Sequence, residues 1–164
     1  MNPWVLIIMG SDSDAEVMSQ AAAALDEVGI PYEFTVASAH RSPERTKRVV
    51  TEADANGAAV FIAGAGMAAH LPGVVASMTA KPVIGVPLAS GALQGVDALY
   101  AIVQMPPGIP VATVAIGGGR NAGVLAAQII ATADAELAAR LKEQRSAMAD
   151  AVAAKSKKVE KSTR

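Results

Sequence analysis

Short apolar runs, each closed by glycine or small polar residues and followed by a helix-patterned stretch, recur along this chain and constrain its fold more than any other feature. Trp4 to Met9 is continuously apolar up to Gly10, the pattern of a strand buried on both faces. Ala15 to Val28 has helical character, and Gly29 supplies a left-handed stop. Tyr32 to Val36 reads as a second strand. Ser42 and Pro43 offer an N-cap and a first helical residue for a helix reaching about Asn56, which Gly57 closes. Ala59 to Ala63 predicts the third strand, with a helix near Pro72 to Met78. Val83 to Val86 predicts the fourth, and Val96 to Gln104 a helix that ends before Pro106-Pro107-Gly108. Val111 to Ile116 predicts the fifth strand, and Asn121 to about Thr132 its helix.

Five strands alternating with helices imply a parallel sheet covered on both faces. The expected fold is an α/β three-layer sandwich, with flavodoxin-like strand order ahead of half a Rossmann domain. Hydrophobic residues make up 52% of the chain but aromatics only 3%, so the core must be built from Ala, Val, Ile, Leu and Met. The 164 residues suit one domain, in which 1–133 form the α/β unit. Residues 134–164 form a long Ala-rich helix and a basic tail. Leu137, Leu141, Met148 and Val152 make one apolar stripe on that helix, which fits either this domain or a neighbouring subunit. The stretch from Lys155 to Arg164 reads as a frayed, solvated end.

A formal net charge of −1 creates no global field toward nucleic acid or membrane. The absence of cysteine excludes disulfides and thiolate zinc sites and fits a cytoplasmic protein. Met1-Asn2-Pro3-Trp4 lacks the start of a signal peptide, and no apolar run approaches the ~20 residues of a membrane helix.

Ligands of open parallel sheets bind beyond the carboxyl ends of the strands, where this chain's polar and glycine-rich clusters fall. Gly10-Ser11-Asp12-Ser13-Asp14 opens a helix, an arrangement that favours an anion, with hydroxyls for phosphate and a carboxylate for ribose. Ser38 to Ser42 holds His40 beside Arg41, whose planar fork suits phosphate. Histidine gives and takes protons near neutrality, and His40 and His70 are the two in the chain. His70 is either a pocket wall or a structural residue before a Leu-Pro turn. Gly64-Ala65-Gly66 suits close approach of a flat ring better than a dinucleotide, since no acidic residue follows the next strand. Ser90 to Gly95 and Gly117 to Asn121 complete five loops expected at one edge. The last has no Lys-Ser or Lys-Thr pair, which excludes a nucleoside-triphosphatase loop. Asp12, Asp14, His40 and His70 show no metal-ligand spacing.

Gly10 to Asp14, Ser38-Ala39-His40-Arg41, Ala63 to Gly66 and Ala68-Ala69-His70-Leu71-Pro72-Gly73 together resemble the N5-carboxyaminoimidazole ribonucleotide mutase family of purine biosynthesis. Pro82 to Pro87, Ile102 to Pro106 and Val111 to Ala115 extend that resemblance from Met9 to about Ala127. It implies a flavodoxin-like homo-octamer that needs no metal or organic cofactor. It also implies movement of a carboxyl group from N5 to ring carbon C4 through trapped carbon dioxide. Carried onto this sequence, the acid–base residue is His40, and Ser11, Asp14 and Arg41 match the nucleotide-binding positions. Ser13, Ser38, Gly66, Ala68, His70 and Leu71 match the pocket lining. Met67 stands where members commonly carry glycine, and Ala15-Glu16 replaces a frequent aromatic. The alternatives are a carboxylase that takes carbon dioxide directly and a nucleotide-sensing module on the same fold.

Overall fold

A computed structural model describes residues 3–161. Its elements are β1 (Trp4–Met9), α1 (Ala15–Asp26), β2 (Tyr32–Val36), α2 (Pro43–Ala55), β3 (Ala58–Gly66) and α3 (Leu71–Ala76). β4 (Val83–Leu88), α4 (Val96–Val103), β5 (Ala112–Thr113), α5 (Gly119–Ala131) and α6 (Ala135–Val159) follow. All strand pairs are parallel, in the order β2-β1-β3-β4-β5. That is the expected flavodoxin-like order.

Side-chain alternation along the strands divides the core between two layers. Val5, Ile7 and Met9 of β1 join Met18 and Leu25 of α1 and Ala122 and Ala126 of α5 on one face. Leu6 and Ile8 join Val50 of α2, Val75 of α3 and Ile102 of α4 on the other. Phe61 is the one buried aromatic among the described residues, as the composition requires.

Three strands depart from expectation, β4 by running on from Val86 through Leu88. β3 continues through Gly64-Ala65-Gly66, which the sequence suggests as loop, because β4 pairs with it there: Ala65 sits opposite Pro87 and Gly66 opposite Leu88. β5 shrinks from Val111–Ile116 to two residues, since only Ala112 and Thr113 pair with β4. The chain then turns away, although the Val114 and Gly117 amides still donate to Gly85 and Pro87.

Asp134 caps α6 by accepting the Leu137 N–H at 2.9 Å, and Leu137 is buried against the α1–α5 layer. Met148 and Val152 of the same stripe are exposed. Lys155 to Val159 are helical rather than frayed, and Ser162 to Arg164 lie outside the described residues. Among the described residues, no helix is long and apolar enough to cross a membrane.

Candidate active site

β2 and β3 flank β1, so the loops leaving them meet in front of its carboxyl end, the switch point of this strand order. A cavity of about 400 Å³ opens there, within the range of small-ligand sites.

The loop after β1 forms one wall with Ser11, Ser13 and Asp14. A short 3-10 turn, Asp12–Asp14, stands between the strand and α1. Ser11 and Asp14 make a reciprocal capping box: the Ser11 hydroxyl accepts the Ser13 N–H, while Asp14 Oδ2 accepts the Ser11 N–H at 3.0 Å. The Ser13 hydroxyl donates to that of Ser11 at 3.0 Å. Burial pushes the Asp14 carboxyl above its ordinary value, against the opposing pull of the Ser11 N–H, the Arg41 charge and Ser13.

Ser38, His40 and Arg41 come from the loop after β2. Ser42 occupies the expected N-cap position of α2, but its side chain is drawn into the preceding loop. Its hydroxyl accepts the Ser38 N–H at 3.0 Å and donates to the Ser38 carbonyl at 3.2 Å. The Arg41 N–H donates to the Ser38 hydroxyl at 3.1 Å, and Arg41 Nη2 donates to the Gly10 carbonyl at 2.9 Å. These bonds tie the second loop to the first and leave other guanidinium N–H groups free to take an anion.

Gly66, Ala68, His70 and Leu71, from the end of β3 and the loop into α3, form the third wall. A side chain on Gly66 would press on the Leu88 carbonyl and Ser90 Cβ, each 3.2 Å from its Cβ position, so glycine lets β3 lie close to the β4 loop. His40 Nε2 and His70 Nδ1 stand 2.8 Å apart with the rings edge to face. That bond needs a proton on one nitrogen and a lone pair on the other. His70 thus both lines the cavity and pairs with His40.

Residues 4–151 match the AIR carboxylase family. The chain belongs to that family. It is 53% identical over 158 residues to the N5-carboxyaminoimidazole ribonucleotide mutase of Thermotoga maritima, covering 96% of this chain and 92% of that protein. It is 52% identical over 160 residues to the phosphoribosylaminoimidazole carboxylase of Schizosaccharomyces pombe, covering 98% of this chain and 29% of that larger protein. The crystal structure of Treponema denticola PurE superposes with a TM-score of 0.89 at 30% identity, covering 98% of this chain and all of that one.

All ten residues that the sequence nominates for the site line this one cavity. Ser90 and Met67 line it too. Ser90 was legible only as part of a polar cluster, because its approach depends on the β3–β4 register. Of the five loops, Gly117–Asn121 falls outside. Its Arg120 forms a two-pronged ion pair with Glu27, the residue that ends α1, at 2.8 and 2.9 Å, which holds the Glu27 carboxyl below its ordinary value. Gly119 and Gly123 serve helix packing, since a Cβ on either would strike the α1 backbone at Val17 or Ala21. Among the described residues, no three His, Cys, Asp or Glu side chains gather as a metal-binding group.

Proposed function

We propose that this protein is a mutase of purine biosynthesis. It moves the carboxyl group of N5-carboxyaminoimidazole ribonucleotide from N5 to ring carbon C4, giving 4-carboxy-5-aminoimidazole ribonucleotide. The observation that carries this assignment is the His40–His70 pair, 2.8 Å apart in a cavity that also presents Arg41 and the Ser11–Asp14 capping box. A ribonucleotide brings phosphate, ribose hydroxyls and a flat ring. Arg41 with the Ser11 and Ser13 groups suits the phosphate, Asp14 suits the ribose, and the Gly66–Ala68–Leu71 wall suits the ring.

The chemistry balances on one proton. His40 gives a proton to N5 as the N5–carboxyl bond breaks, leaving amine and carbon dioxide. The electron-rich C4 then forms a bond to that carbon dioxide, and neutral His40 removes the C4 proton, which restores its starting state. His70 orients the His40 ring through the shared hydrogen bond. Holding both fragments together makes recombination effectively intramolecular, an advantage worth roughly 7–11 kcal/mol in well-oriented systems.

The protein works in the cytoplasm as a homo-oligomer, in line with the octamer that the family resemblance implies. Val96, Tyr100 and Val103 share one exposed face of α4, and Met148, Val152 and Val159 one face of α6. Apolar faces of this kind mark association surfaces. Light scattering on the purified protein measures the assembly, and a monomer at micromolar concentration refutes it.

Isomerisation of the N5-carboxylated substrate should be rapid in the wild type and abolished in His40→Asn. Equal activity of the two proteins refutes the mechanism. Faster product formation from the uncarboxylated ribonucleotide plus bicarbonate than from the N5-carboxylated compound assigns the direct carboxylase instead.

A further inference from the structure

Four serines line the cavity, and three of their hydroxyls are already engaged. Ser11 donates to Asp12 at 3.1 Å, Ser13 donates to Ser11 at 3.0 Å, and Ser38 accepts the Arg41 N–H at 3.1 Å. The fourth, Ser90, is exposed, and its hydroxyl has no hydrogen-bond partner among the described residues. Neither the proton chemistry of the histidines nor the phosphate anchor uses it.

The fold nevertheless fixes where Ser90 stands. Gly66 pairs with Leu88 at the end of β4, and a Cβ on Gly66 would lie 3.2 Å from Ser90 Cβ. The missing side chain therefore admits Ser90 to the cavity wall. On the other side, Gly95 has φ 92°, and a Cβ there would lie 3.2 Å from Ala89 Cα. The loop thus folds back tightly on the residue before Ser90. Gln94 closes the same loop by donating its side-chain amide to the Gly91 carbonyl at 2.6 Å. In the order β2-β1-β3-β4, this loop lies across β3 from the loops that carry Ser11, Asp14 and Arg41. Ser90 is a neutral hydroxyl beside Gly66, on the far side of the cavity from the anion-binding groups.

We propose that Ser90 recognises the carboxylate at C4, donating its hydroxyl proton to one carboxylate oxygen as a hydrogen bond. This inference rests on the mutase assignment above, which puts the phosphate at Arg41 and the ring against the Gly66 wall. With the phosphate held at the β1 and β2 loops, the ring edge that bears the carboxyl is the part of the ligand left to meet the β4 loop. A carboxylate offers only acceptors, and Ser90 offers a free donor. A cation at this place would hold the new carboxylate strongly and delay its departure with the product. A neutral hydroxyl recognises the group and lets it go.

The test compares two ligands on two proteins by calorimetric titration. The ligands are 4-carboxy-5-aminoimidazole ribonucleotide and the same ribonucleotide without the carboxyl group, and the proteins are the wild type and Ser90→Ala. Loss of one hydrogen bond to an ionised group should weaken the carboxylated ligand about tenfold or more. Affinity for the uncarboxylated ligand should stay unchanged, which also shows that the variant is folded and its phosphate anchor intact. Equal weakening of both ligands overturns the proposal, since it means that Ser90 acts on the ring or on the shape of the loop. Unchanged affinity for both overturns it as well. A wild type that binds neither ribonucleotide overturns the mutase assignment and this inference with it.

Discussion

Replacing Gly123 with alanine adds one methyl group at the closest approach of α1 and α5. The new Cβ would meet the Ala21 carbonyl oxygen, with Ala24 Cβ at 2.9 Å and Ala21 Cα at 3.0 Å. Two effects oppose each other. Alanine in a helix interior is favoured over glycine by about 1 kcal/mol. Overpacking a filled core costs about 1–3 kcal/mol, and here the upper end applies because α1 backbone, not a flexible side chain, blocks the methyl. The net expectation is a loss of about 1–2 kcal/mol, or roughly 2–8 °C in melting temperature at the scaling for domains of this size. Because α1 begins at the Ser11–Asp14 capping box, pushing it outward should also raise KM for the ribonucleotide. Thermal unfolding at fixed protein concentration, paired with steady-state kinetics, measures both. A melting temperature that rises, as helix propensity alone requires, refutes the close α1–α5 contact and its link to the site.

Asp14→Asn keeps an acceptor for the Ser11 N–H but removes a carboxyl whose pKa burial raises. A raised folded-state value means that Asp14 favours folding only while protonated, and this support is lost as pH climbs through that value. The variant should therefore gain stability on the wild type between about pH 3 and neutrality, with no difference at the acid end. It should also lose ribonucleotide affinity, and melting curves against pH with a binding titration check the two effects. Arg120→Ala removes an exposed pair worth at most about 1 kcal/mol and should leave kcat and KM unchanged. A KM raised severalfold in that variant places the fifth loop at the site after all.

Strand and helix identities were legible because apolar runs and helical periodicity are local properties of the chain. The register that makes Gly64-Ala65-Gly66 a strand is not local. Three small residues carry no β preference, and pairing with Val86-Pro87-Leu88 decides their state. The truncation of β5 has the same origin, since Val114 to Ile116 look like strand until the chain bends away from β4. At the site, residue types announced themselves by chemistry, and the strand order then brought the first three loops together. The His40–His70 bond joins residues 30 positions apart, and only the folded sheet reveals it. Gly117–Asn121 misled in the opposite direction. Glycines that admit a phosphate and glycines that admit a neighbouring helix look alike in sequence, and here the neighbour is α1.

The loop carrying His40 is closed on itself by the Ser38–Ser42 bonds and fastened to β1 through Arg41 and the Gly10 carbonyl. Its conformational entropy is therefore surrendered during folding rather than during binding. A ligand arriving at this wall finds the guanidinium and the imidazole already aimed, so the interaction energy they provide goes into affinity and the reaction instead of into ordering the loop. Rate changes caused by substitution at Ser42, which lies off the cavity wall, should then appear as an entropic rise in the activation barrier, without loss of any group that lines the site.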